Sequence, residues 1–401
     1  MSDIHLAETD PPREERFSPA EARALRRARH GLFIDEVGSD EHGSAVRVRF
    51  GPKTGYAGSV SLPGGRRIIV HPKARVHSLP ELLTLAYRTL APPPSSGVAT
   101  VETTTPSEWL LVQLAREVHE LLGRGLRNGY VERRERLPFV RGRTRPVLNP
   151  AQLPFLDCEY ADFIVDTPEN RLLRGVLELL APAVRNRAVR RLYDDALSFL
   201  LNVEPVLPSL AQFDRISLTR LNRHYLPSLR LARLALEGAG VVDSAGSSTA
   251  PSYFVLMWQI WENAVAAALR DAQILDVLEK PRYGSAFVHE QGQPNVSVTL
   301  EPDLVLGRRL SPRMVIDLKW APVLLPNRHG GLRLRNSHLY QMATYVTALD
   351  CDGLLLYPLM DDAVNATYVF NGHRVTVRTV DLGQTGLTDL RNAAADIAAA
   401  L

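Results

Sequence analysis

An α/β chain, with a β-rich start, a helical middle and a mixed-sheet end, is predicted from three observations. Alternating or apolar strand-length runs cluster before residue 100 and again after residue 300. Segments with apolar residues every three or four positions dominate between Ser107 and Leu236. Between Tyr253 and Leu401 the order helix, hairpin, helix, strand points to a mixed sheet with flanking helices.

The first 17 residues, MSDIHLAETDPPREERF, are polar and rich in Pro, Glu and Arg. They carry no signal-peptide pattern and are expected to form a disordered tail. Ser18-Pro19-Ala20-Glu21 then reads as a helix start, with a cap, a proline in the first turn and an acid at the third position. AVRVRF (45–50), Ser59 to Leu62 and RIIVH (67–71) read as strands, with a turn at Pro63-Gly64-Gly65. Pro92 to Gly97 reads as a linker or exposed loop. These features define a β-rich N-terminal domain, 18–150.

Ser107 caps a helical pattern, and the basic run YVERRERLPFVRGRTRPVL (130–148) reads as extended. Asn170 to Leu180, Val189 to Leu200 and Ser217 to Leu236 read as amphipathic helices, giving a helical region over 151–240. Gly238 to Ser252 is the clearest linker and sets a boundary. Tyr253 to Leu269, apolar on nearly all sides, reads as a buried helix carrying Glu262. It opens a C-terminal domain, 253–401.

The chain has 401 residues, 45% of them hydrophobic, a net charge of +3 and no uninterrupted apolar span. Size suggests two or three domains, and no membrane partner is expected. Two cysteines, Cys158 and Cys351, cannot build a disulfide framework or a zinc knuckle and favour a cytoplasmic location. Eleven histidines show no paired metal-ligand spacing. Gly51-Pro52-Lys53-Thr54-Gly55 lacks the glycine spacing of a phosphate loop, which argues against nucleotide hydrolysis by this chain. Of 47 Lys and Arg, 43 are arginine. The four lysines are Lys53, Lys73, Lys280 and Lys319. A lysine kept against such a bias draws notice, since a compact ammonium does what a planar guanidinium does not.

Lys319 lies in the stretch with the most chemistry. Asp303 follows Pro302 at the start of one apolar strand, and Asp317 and Lys319 sit on the next, MVIDLKW. Residues two apart on a strand share a face, and a charged pair in an otherwise apolar strand is costly unless paired or bound to an ion. Two carboxylates from adjacent strands can hold Mg2+, a hard cation that prefers oxygen. A lysine beside them can stabilise charge developing on a phosphodiester. Glu262 can add a third carboxylate. Gln341 and Tyr345, four apart on a helix, share a face and can orient the lysine. Each signal is weak alone, and each has an ordinary structural reading.

In this order they resemble the PD-(D/E)xK nuclease core, in particular the RecB-like branch with a Gln-x-x-x-Tyr helix, over Tyr253 to Pro358. The middle acid is Asp317 where glutamate is commoner. A wider resemblance, over residues 45–360, is to the McrC family. It rests on GYAGSVSLPGGRRIIVHPK, GLRNGYVERRERLPFVRG, CEYADF with PENRLLRGVL, RHYLPSLRLARLALEG and MWQIWENAV. The resemblance implies the nuclease subunit of a modification-dependent restriction system, with Asp303, Asp317 and Lys319 as catalytic triad. Glu262, Gln341 and Tyr345 would support them, and Mg2+ would be the cofactor. It also implies that DNA, modified or not, is the substrate. An N-terminal domain would dock into a McrB-like AAA+ GTPase hexamer and stimulate its hydrolysis. Lys53 and Lys73 are candidate docking residues only because lysine is rare here. Two alternatives stay open: a non-catalytic activator of the motor, and a stand-alone RecB-like nuclease.

Overall fold

The structure, a computed structural model, describes residues 3–29, 31–40, 44–88, 106–144, 155–184, 186–238, 253–274, 276–284, 299–326 and 331–401. The chain separates into two compact units. The first comprises residues 1–91, 103–107 and 252–401; the second comprises 92–102 and 108–251.

The first residues of the chain are ordered strands, which corrects the expected tail over 1–17. β1 (Ile4–Ala7) pairs in parallel with β6 (Arg67–His71), and β2 (Arg13–Phe17) pairs with β4 (Val46–Pro52). Ile4, Leu6 and Phe17 are buried in the core that these strands share. The charges that suggested a tail make ion pairs at the surface, Asp3 with Arg67 and Glu15 with Arg66. Short strands with so few apolar residues offer too little periodicity to be seen.

α1 (Pro19–Arg27) starts at Ser18 with the expected capping box, Ser18 and Glu21 each satisfying the other's backbone N–H. β3 (Leu32–Ser39) completes the antiparallel β2-β4-β3 sheet. β5 (Tyr56–Ser61) pairs with β6 across the Pro63-Gly64-Gly65 turn, and α2 (Leu79–Tyr87) follows.

The second unit starts with α3 (Pro106–Arg124), β7 (Gly129–Leu137), β8 (Arg143–Thr144) and β9 (Leu156–Ile164), the strands forming one antiparallel sheet in the order β7-β9-β8. α4 (Pro168–Leu180), α5 (Arg187–Phe199), α6 (Leu210–Asp214) and α7 (Leu226–Gly238) follow. The expected helix over Ser217 to Leu236 begins only at Leu226. Asn222 accepts from the Thr219 backbone N–H and hydroxyl, which holds a turn instead.

A buried polar network ties this unit together. Glu169 accepts from Arg127 at 2.5 Å and from Asn222 at 2.7 Å. Tyr225 donates to Asn170 at 2.8 Å and accepts from the Arg127 N–H at 2.6 Å. Residues from the GLRNGY, PENR and RHYL segments thus meet in one place.

The chain returns to the first unit with β10 (Tyr253–Leu256) and α8 (Met257–Asp271). The helix expected from Tyr253 is therefore a strand for its first four residues. Tyr253, Phe254 and Val255 are buried, and β10 pairs antiparallel with β5 to complete the four-stranded sheet β1-β6-β5-β10. An apolar run without a clear period leaves strand and helix undecided.

The second sheet of this unit has six strands: β11 (Val277–Glu279), β12 (Leu304–Arg308), β13 (Ser311–Leu318), β16 (Asp352–Pro358), β17 (Asn365–Phe370) and β18 (His373–Val380). Between β13 and β16 come a small hairpin, β14 (Leu324–Pro326) with β15 (Leu332–Leu334), and α9 (Asn336–Leu349); α10 (Thr388–Ala400) ends the chain. The strand order is β11-β12-β13-β16-β18-β17, with β13-β16 and β16-β18 parallel and the rest antiparallel. The mixed α/β architecture expected of the C-terminal stretch is present.

The domain limits fall differently from the divisions 18–150, 151–240 and 253–401. Residues 1–91 belong with 252–401, because β10 joins the N-terminal sheet, whereas α3 and β7–β8 belong with the helical unit. The linker readings at Pro92–Gly97 and after Gly238 fall outside the described residues.

Candidate active site

Sheet register explains how the candidate residues meet. β12 and β13 are antiparallel, with Leu304 opposite Ile316. One step further, at the end of β12, Asp303 stands across from Asp317. Asp303 also accepts from the Leu318 backbone N–H at 2.7 Å, which fixes its carboxylate against β13. Asp317 is enclosed, its neighbours Val315, Ile316 and Leu318 being buried too. Lys319 follows the end of β13, and its own N–H donates to the Leu356 carbonyl of β16.

The Lys319 ammonium lies 2.6 Å from Asp317 Oδ2 and donates to Gln341 Oε1 at 2.9 Å. Gln341 in turn donates to the Tyr345 hydroxyl at 2.9 Å, which reaches the Glu301 carbonyl at 3.4 Å. The i, i+4 spacing on α9 places the amide and the phenol in line behind the lysine. Asp303, Asp317, Lys319, Gln341 and Tyr345 therefore form one connected group.

Glu262 is beside this group, not in it. It lies on α8, and its carboxylate pairs with Lys280 at 2.9 Å. Among the described residues, no three His, Cys, Asp or Glu side chains gather closely enough to hold a metal ion. Lys53 and Lys73 lie elsewhere and are engaged within the chain. The Lys53 ammonium donates to the Arg29 carbonyl, and that of Lys73 lies 3.3 Å from the buried Glu8.

The electrostatics are those of carboxylates held out of water. Burial pushes Asp317 up to about 6; the nearby Lys319 opposes this and the Asp303 carboxylate adds to it. Burial likewise raises Glu262, partly offset by Lys280. Asp317 Oδ2 lies 2.6 Å from the Lys319 nitrogen and has no other donor. The charge is paired, but a lone pair is free. A buried carboxylate oxygen short of donors, with a second carboxylate facing it, is a donor set suited to a hard dication.

Three nearby residues were not apparent as site residues in the sequence. Lys280, at the end of β11, donates its backbone N–H to the Asp303 carbonyl. His338 Nδ1 is 2.8 Å from the Tyr357 hydroxyl; burial and then the Lys319 and Arg335 charges bring it down to about 4, so it is neutral near pH 7. Glu8 accepts from Trp320 Nε1 at 3.1 Å, next to Lys319, and from the backbone of Gly55 and Lys73. Only the rarity of lysine offered a signal, for Lys280.

Comparison with known proteins agrees with this architecture. The family model of McrBC 5-methylcytosine restriction system components matches residues 53–358. The type IV methyl-directed restriction enzyme EcoKMcrBC of Escherichia coli (strain K12) is 30% identical over 96 residues, 22% of this chain and 27% of that protein. The match thus spans little more than a quarter of the relative's length. In fold, the chain is similar to one in a half-complex of Thermococcus gammatolerans McrB AAA+ hexamers with bound McrC, at 15% identity and TM-score 0.60, covering all of both chains. A chain of the Thermococcus gammatolerans McrBC complex matches at 18% identity and TM-score 0.47, over 68% of this chain and 88% of that one. With the family model covering well over half of its length, the chain belongs to the family of McrBC 5-methylcytosine restriction system components.

Proposed function

We propose that this chain is the Mg2+-dependent DNA endonuclease subunit of a McrBC-type restriction complex, and that the six-stranded sheet with α8 and α9 forms a PD-(D/E)xK core. The observation that carries this reading is the row Asp303, Asp317, Lys319, Gln341. Two carboxylates face each other across adjacent strands, and an ammonium is oriented by an amide behind it. Asp303 and Asp317 would hold the dication, with Glu262 as a further oxygen donor. When bound, Mg2+ supplies the charge that polarises the phosphodiester.

The protein side chains do the rest. Lys319 can donate to a phosphate oxygen as negative charge grows there, in a site whose low polarity strengthens that interaction. Gln341 holds the ammonium in position, and Tyr345 holds Gln341. Residues placed in advance in this way avoid a reorganisation cost at the moment of reaction.

The proposed partner is a McrB-type AAA+ GTPase ring whose hydrolysis this chain stimulates. Support comes from family membership and from the similar solved chain, which belongs to an assembly of McrB AAA+ hexamers with McrC.

The test combines the purified chain, a McrB-type partner, Mg2+, GTP and methylated or plain DNA. Asp317→Ala and Lys319→Ala should each lower cleavage by about a thousandfold or more while the partner's GTP hydrolysis stays stimulated. Undiminished cutting by either variant would sink the residue assignment. Loss of stimulation along with cutting would mean that these side chains support the fold and not the chemistry.

A further inference from the structure

Lys280 stands in the same row as the two aspartates. β11 and β12 are antiparallel with Glu279 opposite Leu304, and the next step sets Lys280 across from Asp303. Its N–H donates to the Asp303 carbonyl at 2.9 Å. The end of the sheet thus carries Lys280, Asp303 and Asp317 on three successive strands. Lys280 takes a left-handed backbone, φ 46°, which a residue with a side chain rarely adopts and which is found disproportionately at functional sites.

From there its side chain reaches α8. The ammonium lies 2.9 Å from Glu262 and 5.3 Å from the centre of the Trp258 ring, one helical turn before Glu262. The two partners differ in exposure. The Lys280 side chain is 48% exposed and that of Glu262 15%. An ion pair with one half in solvent is weak and easily exchanged. Its cation can swing outward, whereas its carboxylate stays facing the site.

We infer that Lys280 is a latch on Glu262 that exchanges partners when DNA enters: the ammonium passes to a backbone phosphate, and the freed carboxylate joins Asp303 and Asp317 in holding the dication. This inference rests on the nuclease reading above. Among the described residues no three His, Cys, Asp or Glu side chains gather to hold a metal ion, and Glu262 is held to Lys280; its release would supply the third carboxylate. The latch also gives a reason for lysine at this position, since a point charge on a flexible stem can change partners without giving up a bidentate fit. Without DNA, the site would hold a dication poorly.

The test is calorimetric titration of the full chain with Ca2+, with and without a short DNA duplex. Wild type should bind Ca2+ weakly alone and about tenfold more tightly with DNA, and by linkage Ca2+ should raise DNA affinity by the same factor. Lys280→Ala should bind Ca2+ about tenfold more tightly than wild type without DNA and gain little when DNA is added. Lys280→Arg, whose fork can grip Glu262 with two hydrogen bonds, should bind Ca2+ as weakly as wild type without DNA and gain less when DNA is added. Equal Ca2+ affinities for wild type and Lys280→Ala, or a wild-type affinity that DNA does not raise, overturns the latch. Asp317→Ala separates the two readings. If it abolishes Ca2+ binding, the nuclease site stands whatever the fate of the latch; if it leaves Ca2+ binding intact, the nuclease reading itself fails.

Discussion

Burial of Asp317 raises its pKa to about 6, and the sign of that shift has two consequences. For the fold, the raised value means that stability associated with the neutral form is complete below the ordinary 3.8 and is lost as pH rises through about 6. Ionised Asp317 is therefore a cost near neutrality. Asp317→Asn should melt at the same temperature as wild type or higher at pH 7, with the gap closing in acid; a markedly lower melting temperature contradicts this. For a dication the sign reverses, because the ligand must be deprotonated. Ca2+ affinity measured by calorimetry should fall as pH drops through about 6, and a flat profile across that range would refute the assignment. Gln341→Ala, which removes the partner of Lys319, should cost cleavage roughly 10- to 100-fold through misplacement alone. The candidate residues from Asp303 to Tyr345 were legible in sequence because they lie within one short stretch and follow strand and helix periods. Lys280 and Glu8 were not, because only sheet register and tertiary packing bring them near.

Gly353 shows how one element positions another. It lies on β16 beneath α9, and a Cβ there would come within 2.5 Å of Met342 Sδ and 2.6 Å of Val346 Cγ1. Both are buried residues on the helix that carries Gln341 and Tyr345. Gly353→Ala should push α9 outward, destabilise the protein by about 1–3 kcal/mol and lower cleavage together with stability. A denaturant titration and a cleavage assay check both; unchanged values would show that the helix yields without cost. At this scale the longer elements were readable. α1 carried a capping box, and β4, β6, β16 and β18 carried alternating or apolar runs. β1, β2 and β10 were missed for opposite reasons. The first two have too few apolar residues to show a period, and the third has too many.

Across the whole molecule, Glu8 joins the N-terminal strands to the strand of Lys319. Its buried carboxylate serves Gly55, Lys73 and Trp320 at once. Glu8→Ala leaves a lysine and an indole N–H without their acceptor and should cost about 3 kcal/mol or more, seen as a lower denaturation midpoint. Lys319→Ala also removes the partner of a buried carboxylate, but Asp317 takes up a proton readily, so this variant's loss of stability at pH 7 should shrink in acid. The division of the chain was the least legible feature, since composition marks linkers but not which strand completes a distant sheet. β5 and β10 pair Gly58 with Phe254, while the second unit occupies most of the sequence between them. During synthesis β5 therefore waits as an open edge until roughly two hundred further residues have been made, a delay that exposes an aggregation-prone strand. The time taken to make the intervening unit thus sets the least time for which that edge stays unpaired.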